Sequence, residues 1–297
     1  KKIVKRGITA LVTPGVSFND NVLNHKENNF LAALHFDKQA AGIALLDVTT
    51  GEFYAAEGSV DHVEQILNNF QPREVLFEKR KTEIFREKFG TRFYTYKLDD
   101  WIFTPDAAND RLLKQFGTTS LKGFGIQGLS YGIVAAGAVL YYLDMTQHEN
   151  LGHVNHISRI EEDKYVWLDR FTVRNLELFY SPYEGAKTLL EVIDRTSSPM
   201  GGRMLKRWIS LPLKDTDALN SRLDIVDFLI NNQGFNEEIE SFIRETGDLE
   251  RLLGKAAVGR VNPREVAQLR RALIAVGELK RLCSNTGCAP LSTISAD

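Results

Sequence analysis

Residues 42–56 have the sequence GIALLDVTTGEFYAA, an apolar run followed by a turn and a second apolar stretch. The run over 42–48 is short and almost uninterrupted, which is typical of a strand buried on both faces. Residues 49–51, TTG, are of types that favour a turn, and strand character resumes over 52–56. The sequence therefore predicts a hairpin with one fully buried strand.

Strand and helix signals continue to alternate after this hairpin. The predicted elements are a helix capped by Ser59, a strand at 74–77, a polar helix at 82–88, a strand at 92–96, a helix from Pro105 to about Phe116 with Thr104 as its cap, and a buried helix at 131–144. Strands that alternate with helices predict an α/β domain over residues 1–150.

Beyond residue 150 the signals are almost wholly helical, apart from one strand predicted at 165–169. The predicted helices cover 188–194, 200–208, 216–231, 236–245, 248–254 and 263–284, with Pro199, Pro212 and Gly234 as separators. Asn262 and Glu265 predict a capping box at the start of the last helix. The fold class is therefore α/β followed by all-α, with a second domain over 151–297.

Composition sets limits on the class of protein. Hydrophobic residues make up 43% and charged residues 26% of the 297 residues, as in ordinary globular proteins. The net charge of −2 provides no general attraction to nucleic acid or to an anionic membrane. The apolar run at 133–143 is shorter than the roughly 20 residues that span a bilayer. Two cysteines, Cys283 and Cys288, are too few for a disulfide framework, which favours a cytoplasmic location.

Few motifs suggest catalysis. No phosphate-binding loop of the form GxxxxGK[ST] occurs, and the glycines at 123, 125 and 128 are predicted to shape a turn. Asp47, at the end of the buried strand, leaves two interpretations open. It either binds metal as in ribonuclease H-like nucleases, or it caps a turn. A two-metal nuclease would need further carboxylates, for which the candidates are Glu78, Asp99 and Asp100.

Two other groups of residues are candidate binding sites. His153 and His156 are spaced as a metal pair but lack two further ligands nearby, so solvated loop histidines are favoured. Arginines and lysines cluster around residue 203 and over 251–271. Such clusters either contact phosphate or, as we favour, pair with acids such as Glu250 and Glu265.

Two longer stretches resemble a known family. Residues 167–178, WLDRFTVRNLEL, and residues 189–213, LLEVIDRTSSPMGGRMLKRWISLPL, are similar to the core domain of MutS DNA mismatch-repair proteins. The similarity continues over 221–226, 247–255 and 259–266, and upstream over 11–16, 46–53 and 114–125, where the connector domain is matched. The resemblance thus covers nearly the whole chain.

The resemblance implies a ribonuclease H-like connector domain over 1–150 and the first part of the helical core domain over 151–297, ending before the lever and clamp. It also implies that the mismatch reader precedes Lys1, which we interpret as a cut within a longer chain, and that the ATPase follows Asp297. The chain itself is then expected to have no catalytic, cofactor-binding or metal-binding residues. The alternative remains a ribonuclease H-like metal-dependent nuclease with a helical accessory domain.

For the complete protein the resemblance implies an ATPase that uses ATP and magnesium. That protein would bind mismatched duplex DNA through domains outside this chain, form a homodimer and be cytoplasmic and nucleoid-associated, with no membrane contact. The chain would link the mismatch-binding and ATPase domains, transmit conformational change and dock the repair partner MutL.

The helix that begins at Pro105 is the candidate MutL-docking surface. Asp110, Arg111 and Lys114 are predicted to face solvent, whereas Leu112, Leu113 and Phe116 are predicted to pack inward. The assignment rests on position in the connector domain rather than on a fixed motif. An ordinary solvated helix face is the alternative.

A second set of residues is predicted to be structural at the domain junction: Asp169, Asn175, Glu177, Asp194, Arg203 and Trp208. Arg203 is expected to pair with Asp194 or Glu177, and Pro199 is expected to end a helix. An apolar face of Met204, Leu205 and Trp208 is expected to pack on Leu189, Leu190 and Ile193. On the last helix, the stripe Val266, Leu269, Leu273 and Val276 is expected to be exposed, which favours lower stability or self-association of this domain.

Overall fold

The computed structural model describes residues 11–18, 23–148 and 150–296. Lys1 to Arg6, interpreted above as following a cut, lie outside the described residues. The chain forms two compact units. The α/β unit comprises the described residues up to Leu23, residues 29–160 and residues 257–259, and the helical unit comprises residues 24–28, 161–256 and 260 onward. Each unit therefore includes a short segment from the other half of the sequence.

One six-stranded sheet forms the centre of the α/β unit, in the order β5-β4-β1-β2-β3-β6. Its strands are β1 Phe30–Phe36, β2 Ala41–Asp47, β3 Glu52–Gly58, β4 Glu74–Glu78, β5 Thr95–Leu98 and β6 Ser158–Arg159. β1, β2 and β3 pair antiparallel, whereas β4 is parallel to β1, β5 to β4 and β6 to β3. The predicted hairpin is confirmed as β2 and β3, with Asp47 opposite Glu52.

The helices of this unit are α1 Val60–Phe70, α2 Thr82–Phe89, α3 Pro105–Phe116 and α4 Ser130–Met145. The apolar α4 lies against β1 and β2 and also packs on α3. Two glycines permit this close approach. A Cβ on Gly42 would lie 2.2 Å from the Tyr131 carbonyl carbon, and one on Gly137 would lie 2.4 Å from the Ala108 Cα.

The helical unit contains α5 Arg170–Asn175, α6 Leu189–Ile193, α7 Pro199–Ser210, α8 Thr216–Asn231, α9 Gln233–Thr246, α10 Leu249–Ala257, α11 Pro263–Ser284 and α12 Ala289–Ala296. The predicted capping box of α11 is confirmed. The Glu265 N–H donates to Asn262 Oδ1 at 3.0 Å, and the Asn262 N–H donates to Glu265 Oε2 at 2.8 Å. The order of elements confirms the predicted ribonuclease H-like α/β domain followed by helices.

Several local predictions were wrong. The strand expected at 165–169 is reduced to a single bridge between Tyr165 and Leu213, because no strand in the described part of the chain pairs with residues 166–169. Pro199 begins α7 rather than ending a helix, since Ser198 caps that helix by accepting from the Gly201 N–H at 3.1 Å. Gly234 lies inside α9 and therefore does not separate this helix from the one before it.

Within the described ranges, no helix combines the length and the apolar character that crossing a membrane requires.

Candidate functional site

Asp47 is fully buried and serves the hairpin turn. Its Oδ1 accepts from the Thr49 N–H at 3.0 Å and from the Thr49 hydroxyl at 2.6 Å, and its Oδ2 accepts from the Asn29 N–H at 3.0 Å. Both carboxylate oxygens are therefore used in holding the turn and the start of β1. Of the two interpretations left open by the sequence, the structure favours the turn.

Of the three other carboxylates proposed for a nuclease, Asp99 is exposed, whereas Glu78 and Asp100 have structural partners. Glu78 contacts Lys81 and His35, and although burial raises its pKa, hydrogen bonds from these two residues outweigh burial and lower the pKa overall. Asp100 pairs with Arg80. Across the described part of the chain, no group of three or more His, Cys, Asp or Glu side chains is arranged to hold a metal ion. The nuclease alternative has no support.

His153 and His156, for which solvated loop side chains were favoured over a metal pair, differ in exposure: His156 is exposed, whereas His153 is half-buried. His153 Nε2 lies 2.7 Å from the Val48 carbonyl oxygen, and the His156 ring packs near Phe124. These contacts tie the loop after α4 to the β2–β3 hairpin and to the turn after α3.

The candidate docking helix, α3, presents Asp110 and Lys114 to solvent as predicted. The prediction for Arg111 was wrong. Its side chain is only 11% exposed, because Nε and Nη2 donate to the two Asp144 oxygens of α4 at 2.7 and 2.8 Å. Leu112 is buried, and Leu113 and Phe116 are partly buried against the core. We call Asp110 and Lys114 the α3 patch.

Exposed apolar residues near this helix were missed by the sequence analysis. Trp101 is 58% exposed, and its ring meets that of Tyr141 edge-on at 5.5 Å. Met145, one turn after Tyr141 on α4, is also exposed. The sequence shows that a tryptophan stands at this position. It does not show whether that side chain is exposed, because burial cannot be predicted from a single aromatic residue.

Among the junction residues, Asp169 caps α5 by accepting from the Thr172 N–H at 2.7 Å, which holds the pKa of this carboxyl below its ordinary value. The hydrogen-bonding role expected of Asn175 and Glu177 at the domain junction stays a prediction. Their side chains make no hydrogen bond with any part of the chain that the structure describes. Instead the Glu177 backbone, at a φ of 48°, accepts from the Leu189 N–H at 2.9 Å.

Arg203 does not pair with Asp194 or Glu177, contrary to the prediction. Its side chain is 1% exposed and forms a bidentate ion pair with Asp248 at 2.7 and 2.9 Å and a further bond to Glu250 at 2.6 Å. Burial alone would lower the pKa of Arg203, but the hydrogen bonds and charges of these two acids outweigh it and raise the pKa. The guanidinium is therefore a fixed positive charge inside the helical unit.

Arg203 also binds backbone from the start of the sequence. Its Nη1 donates to the His25 carbonyl oxygen at 2.8 Å, while Arg251, also buried, donates to the carbonyl oxygens of Asn24 and Glu27 at 3.1 and 2.6 Å. We call residues 24–28 the strap. Asp194 contacts it too, through both carboxylate oxygens to Lys26 Nζ at 2.9 and 3.0 Å.

Most of the residues predicted to pack between α6 and α7 are exposed, although Leu190 and Leu205 are half-buried. Trp208 remains 42% exposed and lies under the Arg222 guanidinium, 3.6 Å from the ring centre, and Met204, Leu189 and Ile193 are also exposed. The reason is that α7 buries a different face, formed by Gly202, Arg203 and Ser210. On α11, Val266, Leu273 and Val276 are exposed, as predicted for the stripe, whereas Leu269 is half-buried.

Comparison with known proteins agrees with this division. The family model described as MutS domain II matches residues 29–155, and that described as MutS domain III matches residues 171–295. The chain is 55% identical to the DNA mismatch repair protein MutS of Bacteroides fragilis over 294 residues, which is 99% of this chain and 34% of that protein. It is 56% identical to the protein of the same name from Bacteroides thetaiotaomicron, with the same coverage.

A more distant relative, the DNA mismatch repair protein MutS of Christiangramia forsetii, is 53% identical over 288 residues, or 96% of this chain and 33% of that protein. The chain thus spans about a third of the length of the curated relatives that it matches. The two domain models together match most of the chain, in the order in which the α/β and helical units occur. The chain therefore belongs to the MutS family of DNA mismatch-repair proteins and contains its domains II and III.

Proposed function

We propose that the chain is the connector and core portion of a mismatch-repair protein, and that it transmits conformational change rather than catalysing a reaction. The observation that carries this proposal is the match to MutS domains II and III at more than 50% identity to the relatives from Bacteroides. In this proposal the connector covers 1–150 and the core portion covers 151–297.

The remaining activities belong, by this proposal, to the complete protein. These are ATP hydrolysis with magnesium, binding of mismatched duplex DNA, homodimer formation and a cytoplasmic, nucleoid-associated location. The use of Asp47, Glu78 and Asp100 in structural contacts supports a non-enzymatic role for the chain. Its net charge of −2 supports DNA contact through other domains.

A chimera tests the proposal. The matched third of the Bacteroides fragilis relative is replaced by this chain, and the chimera is expressed in a strain of that organism that lacks its own copy. Because the chain is 55% identical to the segment that it replaces, we expect the spontaneous mutation frequency to fall close to that of the parent strain. A chimera that accumulates normally yet leaves the mutation frequency at the level of the deletion strain would contradict the proposal.

We infer further that the α3 patch is part of a docking surface for MutL. Asp110 and Lys114 are exposed side chains of opposite charge, and exposed Trp101 and half-buried Tyr141 lie on the neighbouring elements. Buried aromatic anchors with a charged rim are typical of protein interfaces. Arg111 is excluded from the patch because its ion pair with Asp144 joins α3 to α4.

Charge reversal at the α3 patch is expected to weaken MutL binding. The variant Asp110→Lys with Lys114→Glu keeps the net charge but inverts the local pattern, so we expect the Kd for MutL to rise about tenfold with an unchanged melting temperature. Surface plasmon resonance with purified MutL measures the change. The matched control is Glu83→Lys with Arg86→Glu, which inverts an exposed pair on α2 and is expected to bind normally. Equal Kd values for all three proteins would move the site elsewhere on the α/β unit.

A further inference from the structure

The strap is held to the helical unit mainly through its backbone. The carbonyl oxygens of Asn24, His25 and Glu27 accept hydrogen bonds from two guanidinium groups that are at most 5% exposed. Hydrogen bonds from charged donors are stronger than those between neutral groups. Because Arg203 is held by Asp248 and Glu250, the strap is bound to α7 and to the start of α10.

Side chains strengthen this attachment and fix its position along the helices. Lys26 pairs with Asp194, and Glu27 pairs with Lys206 at 3.0 Å. A Cβ on Gly202 would lie 2.9 Å from the Lys26 Cγ, so the strap crosses α7 where that helix has a glycine. The spacing 202, 203 and 206 places all three α7 residues on one helix face, toward the strap.

The residue that follows the strap is anchored in the α/β unit. The Asn29 N–H donates to Asp47 Oδ2, and its side-chain amide donates to the Pro14 carbonyl oxygen, each at 3.0 Å. Between Glu27, held by Arg251 and Lys206, and Asn29 there is only Asn28. Two peptide steps reach at most roughly 7.6 Å, so this link cannot lengthen to absorb a displacement.

We propose that the strap is a mechanical link, which delivers a movement of α7 and α10 through Asn28 to Asn29 and so to the Asp47 turn. This inference rests on the proposed function, in which the chain transmits conformational change, and it names a route for that transmission. Coupling between distant sites requires a physical element on which both act, and the strap joins two anchored networks across one residue.

Hydrogen exchange at single amides tests the link in the full chain. Arg251→Met releases the strap carbonyls of Asn24 and Glu27. We therefore expect faster exchange within 24–28 and a rise of about threefold or more at the amides of Asn29 and Thr49, which both donate to Asp47. The same substitution is then made in a chain with two glycines inserted between Asn28 and Asn29. There the rise within the strap persists, whereas the rise at Asn29 and Thr49 is lost.

Two outcomes would overturn the proposal: no rise at Asn29 and Thr49 with the native link, or an equal rise with the lengthened one. Arg244→Met is the matched control, because that arginine forms an exposed pair with Glu240 and is expected to change neither region. If Arg251→Met does not fold, Arg251→Lys serves in the same comparison. A single ammonium group cannot reproduce the two hydrogen bonds that the two terminal nitrogens of Arg251 donate to the strap. The measurement involves no MutL or DNA, so its failure would be distinct from failure of the docking or chimera experiments.

Discussion

Replacing Arg203 with methionine is expected to lower the free energy of unfolding of the helical unit by about 3–5 kcal/mol. Methionine fills much of the space of the arginine stem but leaves Asp248, whose side chain is 14% exposed, without its bidentate partner. The His25 carbonyl also loses a charged donor. A buried carboxylate that loses its counter-charge is costly, which is why the expected effect exceeds that of an ordinary surface ion pair.

Urea unfolding followed by far-ultraviolet circular dichroism measures this loss, because the helical unit contributes much of the signal. Arg244→Met, which removes an exposed pair on α9, is the control and is expected to cost less than about 0.5 kcal/mol. Arg203→Lys is expected to fall between the two, since lysine keeps the charge but not the planar two-pronged geometry. A loss below about 1 kcal/mol for Arg203→Met would show that the buried network does not hold this unit together.

Gly42→Val is expected to destabilise the α/β unit by about 3 kcal/mol or more. A Cβ at this position would lie 2.2 Å from the Tyr131 carbonyl carbon and 2.4 Å from the Gly132 nitrogen. These are main-chain atoms at the first turn of α4, so they cannot rotate away as a flexible side chain would. Valine favours strands, which works in the opposite direction, but a preference of at most about 1 kcal/mol is smaller than the steric cost.

Differential scanning calorimetry compares this variant with Gly123→Ala. Gly123 has open space around its Cβ position and lacks a positive φ, so its substitution is expected to change stability by no more than about 0.5 kcal/mol. Equal melting temperatures for the two variants would show that α4 can move off the sheet without cost. That result would contradict the close packing described for β2 and α4.

The elements predicted well are those whose signals lie within a few residues. The α11 capping box needs only Asn262 and Glu265, three positions apart, and its geometry matches the prediction. The helix from Pro105 ends at Phe116 as expected, because Gly117 adopts the left-handed conformation that stops it. Thr104 has the extended backbone conformation of a cap, but its side chain does not accept a hydrogen bond from the helix. Its hydroxyl donates to the Trp101 carbonyl at 3.0 Å instead.

Elements that depend on distant partners were predicted poorly. β1 is a different case: it was overlooked although its apolar residues 30–36 lie between the polar stretch 24–29 and the turn at Asp37, which are local signals. Residues 165–169 show the reverse case, in which strand-like sequence finds one bridge to Leu213 and no strand. Strand identity is largely a property of neighbours, which a single sequence does not specify.

The candidate sites show the same limit. Sequence identified Arg203 as a structural residue, but its partners lie 45 and 47 positions away at Asp248 and Glu250, and its backbone contact lies 178 positions away at His25. For Arg111, the position on the helix predicted exposure, and only the nearby end of α4 supplied Asp144 as a partner. Charge can be read from sequence, whereas the choice of partner requires the fold.

Residues 257–259 belong to the α/β unit although they follow most of the helical unit in sequence, and this affects how the chain folds during its synthesis. Val258 packs against the α/β core, yet it leaves the ribosome about 100 residues after β6, the last strand of that unit. For the strap the order is reversed. Residues 24–28 leave the ribosome early, whereas Arg203 and Arg251, which bind them, are synthesised far later. The nascent chain therefore cannot complete its first domain before starting its second. Until residue 259 has emerged, both units are incomplete, and their unsatisfied surfaces are open to chaperones and to misassembly.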